Sequence, residues 1–386
     1  MSQASITAVV AGGGVIGSSV AWRLAANGVH TIVLERARLG AEASAAAAGL
    51  IGPQAEAQEP GPFFSLALAA KRSFDASIDT LTDESGIDPE YDRDGVLYAA
   101  LDETSANALR SRGRWQREAG EIAQELSGAE ARKLAPMLSP KTVFALHLPT
   151  NRRCDNRKLT NAFAAAAARR GVEFREGARV DEIICRGGRA VGVRLSDGSE
   201  IGADVVINAA GAWASEIRGL EQDRIQLRPI RGQMICFESR PGALAPSLFS
   251  QGGILVPRRD GRLIAGSIFE EAGYNKSLTL EGMARILAGV AAMAPGLGSS
   301  ALRETWAGFR PASDDWMPVI GASPSVPNVI YATGHFRSGI LLSMLTGEVV
   351  ADIVAGRVPS ADLGACNPAR FQSGRIERIS PVFKTL

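Results

Sequence analysis

Histidine and cysteine are scarce in this chain of 386 residues, and their placement excludes more than their number does. The three histidines, His30, His147 and His335, stand far apart, and none lies at metal-ligand spacing with a cysteine or an acid. No metal is therefore expected. The four cysteines, Cys154, Cys185, Cys236 and Cys366, form no C-x-x-C pair. That excludes a dithiol motif and suits reduced thiols in a cytoplasm. Neither sign of charge dominates: 42 Lys plus Arg face 41 Asp plus Glu, for a net charge of +1. Without a basic run, nucleic acid is not an expected partner. Long hydrophobic runs are missing too. The longest, Gly339 to Ala355, is broken by Glu348 and Asp352, so it reads as a core helix and no membrane span is expected. The first apolar run has no charged segment before it and leads into glycines, which marks a strand rather than a signal peptide. No repeat or low-complexity linker divides the chain, and its length suits two domains or one large one.

What the chain does have begins at that first run. Residues 6 to 11 are apolar and β-branched, as a buried parallel strand requires. Gly12-Gly13-Gly14-Val15-Ile16-Gly17 follows. Gly12 permits a tight turn, Gly14 lets backbone approach a pyrophosphate, and Gly17 lets a helix pack closely on the strand. That helix, from about Val15 to Ala26 and ended by Asn27-Gly28, would point its amides and positive dipole end at phosphates. A second strand, Thr31 to Leu34, delivers Glu35, whose carboxylate can accept both ribose hydroxyls and disfavours a 2′-phosphate. Strand, helix, second strand and acid in register predict a dinucleotide site.

The Gly40–Gly52 stretch is small-residue rich, and from composition alone it is either an ordinary alanine helix or a surface for an extended cofactor. Pro53 to Pro62 reads as loop and Phe63 to Ile78 as helix; a strand (Gly95 to Leu101) and charged helices such as Glu103 to Leu126 follow. A helix from Leu159 to Arg170 precedes strands Val180 to Cys185, Ala190 to Leu195 and Val205 to Asn208, separated by Gly187-Gly188 and Asp197-Gly198. The third strand runs into Ala209-Ala210-Gly211-Ala212-Trp213, which would bring backbone back to the cofactor. Later come Arg228 to Phe237, a hairpin around Asp260-Gly261, helical residues 278 to 293, Thr305 to Pro311 and a last strand Val329 to Ala332. The expected fold is α/β (α+β overall): a discontinuous Rossmann-like dinucleotide-binding domain with an inserted antiparallel-sheet substrate domain. The nucleotide domain takes residues 1–78, 151–216 and 305–386; the substrate domain takes 79–150 and 217–304.

These motifs together carry a resemblance. The Gly12–Gly17 turn, the Ala45–Gly49 tract, Asn208 to Trp213, Trp306-Ala307-Gly308-Phe309-Arg310-Pro311 and Gly334-His335-Phe336-Arg337-Ser338-Gly339-Ile340-Leu341 stand in order. In that order the chain resembles the D-amino-acid oxidase superfamily, most closely its glycine oxidase branch. The resemblance covers essentially the whole chain and implies FAD rather than NAD. The FAD is expected to be noncovalent, since no cysteine lies beside the Arg310 or Arg337 loops. By the resemblance, FAD is lined by Val15, Ile16, Glu35, Arg36, Ala43, Ser44, Ala48, Gly49, Leu50, Val180, Gly211 and the loop His335, Phe336, Arg337, Ser338, Gly339, Ile340 and Leu341. Arg310 and Arg337 fall on the substrate-contacting arginines.

The implied chemistry takes an amine or amino acid, moves hydride from its Cα to flavin N5, and passes the electrons to O2 as hydrogen peroxide. The imine then hydrolyses to an oxo acid and an amine. Such an enzyme has to hold a carboxylate and aim a Cα–H, so no side-chain base is required when the amine arrives neutral. Arg310 suits the carboxylate because a guanidinium fork can grip it bidentately. One position departs from the resemblance. Glycine oxidases carry a tyrosine just before the Leu-Val-Pro-type strand, and here that register gives Ile254 after Gly252-Gly253. An apolar wall there favours an N-alkylated substrate, sarcosine or another N-substituted glycine, over glycine. Three other readings stay open: a same-fold dehydrogenase passing electrons to a quinone, a nicotinamide dehydrogenase that leaves the C-terminal loop unexplained, and a non-catalytic flavin-binding protein. A homo-oligomer is neither indicated nor excluded.

Overall fold

Alternation in the first strand sets the layers of the nucleotide-binding half. The computed structural model describes residues 6–373; residues 1–5 and 374–386, at the edges of the expected nucleotide domain, lie outside the described residues. In Thr7–Ala11, Ala8 and Val10 face one hydrophobic cluster while Val9 and Ala11 face another, as a period of two demands. The first cluster is closed by helices Val15–Ala26, Pro62–Ser85, Asn156–Arg169 and Gly339–Val354. The second is closed by a three-stranded sheet, Val180–Arg186, Arg189–Leu195 and Glu200–Gly202. The central sheet has six strands in the order Val319–Ala322, Val329–Thr333, Val205–Asn208, Thr7–Ala11, His30–Glu35 and Glu173–Glu176. Its pairings are parallel except at the Val319–Ala322 edge. Gly339–Val354 is fully woven into this half, so the longest apolar run is a core helix.

The other half is an eight-stranded sheet. Its order is Leu302–Ser313, Leu227–Glu238, Arg262–Gly266, Gly253–Pro257, Ser247–Ser250, Val96–Ala100, Phe144–Leu148 and Gln124–Ser127. Helix Leu280–Met293 packs on one face with Leu255 and Ala265; helix Glu103–Glu118 packs on the other with Tyr98 and Ile264.

Five features differ from the sequence reading. The charged helix ends at Glu118 rather than Leu126, because Gly120 turns the chain at φ +86° and Gln124–Ser127 becomes an edge strand. Helix Asn156–Arg169 starts earlier than Leu159, since the Asp155 carboxylate accepts the amides of Arg157 and Lys158. The segment read as loop opens with one helical turn, Pro53–Glu56. The edge strands Glu173–Glu176 and Glu200–Gly202 carry glutamates and are mostly exposed, so they show no apolar alternation to read. The expected boundary at 304/305 falls inside Leu302–Ser313, which pairs along its length with Leu227–Glu238 and so belongs to the larger sheet.

Candidate active site

The two halves meet on a cavity of about 1310 Å3 that both ends of the chain line. At its nucleotide end the wall is mostly backbone. Gly12 has φ +108°, and a Cβ there would lie 2.8 Å from the carbonyl carbon of Ala209, on the strand end that runs back beside the turn. A Cβ on Gly17 would collide with the Gly12 carbonyl, so this glycine keeps the helix against the turn. Gly14, by contrast, has only the Ser44 hydroxyl near its missing side chain, at 3.1 Å, and lines the cavity. The Ser44 hydroxyl accepts the Val15 amide at 2.8 Å, and the Glu35 carboxylate accepts the amides of Gly13 (2.8 Å) and Ala37 (2.9 Å). Helices Val15–Ala26 and Gly339–Val354 both present their first residues to the cavity, Val15 and Ile16 from one, Gly339 and Ile340 from the other. The positive dipole ends of the two helices favour negative charge there.

The alanine tract is not one continuous helix, and it lies along the cavity wall. It makes one helical turn, Ala43–Ala46, then runs extended through Ala48 to Gly49 along the cavity. Gly49 has φ +80°, and a Cβ would strike the Cys154 backbone. Arg36 lies over the Trp213 ring at 3.4 Å and pairs with Glu42 at 2.8 Å. Gly12, Gly14, Val15, Ile16, Glu35, Arg36, Ala43, Ser44, Ala48, Gly49, Leu50, Val180, Gly211, His335, Phe336, Arg337, Gly339 and Ile340 all line the cavity. Gly17, Ser338 and Leu341 stand off its wall. Gly17 is under the turn, Ser338 sits buried at the start of its helix, and Leu341 points into the core.

At the other end the wall is side chains. Arg310 lies on Leu302–Ser313, where its guanidinium donates to the Ile268 carbonyl at 3.3 Å and to the Ser267 hydroxyl. Opposite it, Gly232 leaves the room that the guanidinium fills: a Cβ there would be 2.6 Å from Cζ. Shielding from water, and then the Arg337 charge, push the Arg310 pKa down to about 9, with Glu56 opposing. Arg337 arrives from the C-terminal loop, which is tied to the same strand by the Phe336 amide donating to Pro311 at 2.9 Å and by a bridge between Ala312 and His335. Both guanidiniums stand over the Phe269 ring, at 4.7 Å and 5.5 Å. Arg337 pairs with Glu56 at 3.2 Å. Ile254 lines the same end, half-buried, on the strand beside Gly266 and against the cluster holding Tyr98, Phe249 and Met234.

His335 lines the cavity and is anchored within the loop. Its Nε2 meets the Thr346 hydroxyl at 3.0 Å, and burial pushes its pKa down to about 3, so the ring is neutral. Glu56 and Phe269 are cavity residues that the sequence reading missed. Glu56 sits in a segment without apolar periodicity, and Phe269 follows the sheet in a stretch with no pattern. Among the described residues no group of three or more His, Cys, Asp or Glu is placed to hold a metal. No described helix is long and apolar enough to cross a membrane.

The wall fits a dinucleotide with an aromatic ring system at its far end. Glycines keep the backbone of the cradle close together, and two helix N-termini face the space. Comparison with known proteins agrees. The family described as FAD dependent oxidoreductase (DAO) matches residues 7–353. A glycine oxidase of Bacillus licheniformis is 32% identical over 349 residues, covering 90% of this chain and 92% of the relative. The structure of glycine oxidase from Geobacillus kaustophilus superposes with a TM-score of 0.88 at 28% identity, covering 95% and 99% of the two chains. Iminodiacetate oxidase from Chelativorans sp. BNC1 superposes with a TM-score of 0.86 at 28% identity, covering 94% and 98%.

Proposed function

The chain belongs to the FAD dependent oxidoreductase (DAO) family and is an FAD-dependent enzyme acting on C–N bonds; on that premise we propose that it oxidises glycine or an N-substituted glycine. The observation that carries this reading is Arg310. Its guanidinium is held by Ser267 and the Ile268 carbonyl and fills the room that Gly232 leaves, inside the cavity that also holds the dinucleotide cradle.

Gly12, Gly14, Glu35, Ser44, the tract to Gly49 and the helix starting at Gly339 would hold the cofactor. When bound, FAD supplies a two-electron acceptor for the hydrogen on the substrate Cα. The protein supplies position and charge. Arg310 grips the carboxylate with a rigid fork, which fixes the Cα and lowers the entropic barrier. The first amides of Gly339–Val354, at the cavity wall, would stabilise negative charge on a cofactor held there. Phe269 and Ile254 keep the amine end apolar, so a neutral amine is favoured over an ammonium. Loss of a hydride from Cα and of a proton from the amine nitrogen leaves an imine, which water converts to an oxo acid and an amine. O2 takes the two electrons and two protons as hydrogen peroxide. Four free cysteines support the cytoplasm as its working compartment.

The test is anaerobic bleaching of the bound FAD against a panel of glycine, sarcosine, longer N-alkylglycines and D- and L-amino acids. Bleaching by N-alkylglycines, then peroxide on admission of air, is the expected result. Bleaching without peroxide would make the enzyme a dehydrogenase with another acceptor. A flavin that stays oxidised under every amine would overturn the reading.

A further inference from the structure

The substrate end contains a charge that carboxylate capture does not need. Glu56 is buried, lines the cavity and pairs with Arg337 at 3.2 Å. Two guanidiniums and one carboxylate thus leave one net positive charge, which matches one substrate carboxylate. Arg285, on helix Leu280–Met293, also lines the cavity but is exposed, where water and salt weaken its effect.

A buried carboxylate on a one-turn helix needs holding, and the structure shows what holds it. Arg112, from helix Glu103–Glu118, is buried and is not part of the cavity wall. Its Nη2 donates to the carbonyls of Gln54 (2.8 Å), Ala55 (2.8 Å) and Ala57 (2.9 Å). Its Cζ stands 4.6 Å over the Tyr98 ring, and the Tyr98 hydroxyl donates to the same Ala55 carbonyl at 2.8 Å. Arg112 makes no ion pair with an acid among the described residues. Its charge is spent on the open carbonyls of the turn that carries Glu56.

We propose that Glu56 sets the charge selectivity of the substrate end, disfavouring ligands with a second anionic group, and that Arg112 is the positioning residue that keeps it there. This rests on the reading of Arg310 as the carboxylate anchor. Removing the Glu56 charge leaves two net positive charges at the site, which suits a dianion such as an N-carboxyalkyl glycine better than a monoanion. Loosening the turn does the same from a distance.

Titration calorimetry on the FAD-loaded protein with acetate and malonate tests this without turnover. Glu56→Gln should improve malonate relative to acetate by about tenfold, the scale of one unit charge in a part-buried site. Arg112→Met should move the ratio the same way, and the double variant should match Glu56→Gln alone, because both act through one carboxylate. Arg337→Met removes a positive charge and should move the ratio the opposite way, which keeps the test alive if Glu56→Gln fails to fold. An unchanged ratio in Glu56→Gln, or an Arg112→Met effect that simply adds to it, would overturn the proposal. Acetate binding equally to wild type and to Arg310→Lys would instead overturn the anchor reading beneath it.

Discussion

The two ends of the cavity are made of different material. At the nucleotide end Gly12, Gly14, Gly49 and the first amides of two helices form the wall, and side chains such as Ser44 and Glu35 chiefly brace backbone. At the substrate end Arg310, Arg337, Glu56, Phe269 and Ile254 form it, delivered by five separate stretches of chain. A backbone wall recognises what all dinucleotides share, and it fails when a methyl group is added. A side-chain wall recognises a particular ligand and can be retuned one residue at a time. The same fold can therefore keep its cofactor while its substrate changes.

That contrast predicts a separation of phenotypes, with the largest effect at the backbone end. Gly12→Ala places a Cβ on Ala209 at a φ of +108°, and overpacking alone costs about 1–3 kcal/mol. The variant should purify colourless with a lowered Tm; a yellow protein of unchanged Tm would break the contrast. Arg310→Lys should stay yellow and lose kcat/KM roughly ten- to hundredfold, as the loss of a charge-assisted contact worth about 1.5–3 kcal/mol implies. Unchanged kcat/KM would move the carboxylate site, with Arg337 the next candidate.

Smaller effects sharpen the description of the side-chain end. The Arg310 pKa lies below the usual arginine value, at about 9, so the cation is present at neutral pH and is lost as pH rises through that value. Acetate affinity for the FAD-loaded protein should therefore be flat across neutral pH and fall above about 9. A fall beginning near neutrality would assign the anchor to another group. Ile254 should have the mildest influence. Each methylene buried against it contributes about 0.8 kcal/mol, so sarcosine or a longer N-alkylglycine should exceed glycine in kcat/KM. Ile254→Tyr should narrow that preference. If wild type prefers glycine and the variant leaves the ratio alone, Ile254 does not face the substrate.

The same difference in material explains what could be read from sequence. Gly12, Gly14, Gly17 and Glu35 are local: their spacing is set by one strand, one turn and one helix, so sterics write them directly into the chain. Gly211 and the loop from Gly334 were legible because each follows a strand end with small residues. Arg310 and Arg337 were legible only through the pattern of their neighbours. Glu56 and Phe269 were not legible. Nothing near Glu56 announces that Arg112, distant in the chain, will gather the carbonyls of its turn. Nothing near Phe269 announces that two guanidiniums will stand over its ring. Ser338 and Leu341 show the converse: a motif names a loop, while helical geometry decides which of its residues face the space.

The central claim is that one cavity joins an FAD cradle to a carboxylate anchor, so the decisive comparison is between amines with and without a carboxylate. Anaerobic flavin reduction by sarcosine and by dimethylamine should be followed in wild type and in Arg310→Lys. The account predicts rapid bleaching of wild type by sarcosine only, and slow bleaching of the yellow Arg310→Lys variant by sarcosine. Equal bleaching by both amines, or sarcosine bleaching that is indifferent to Arg310, would contradict it.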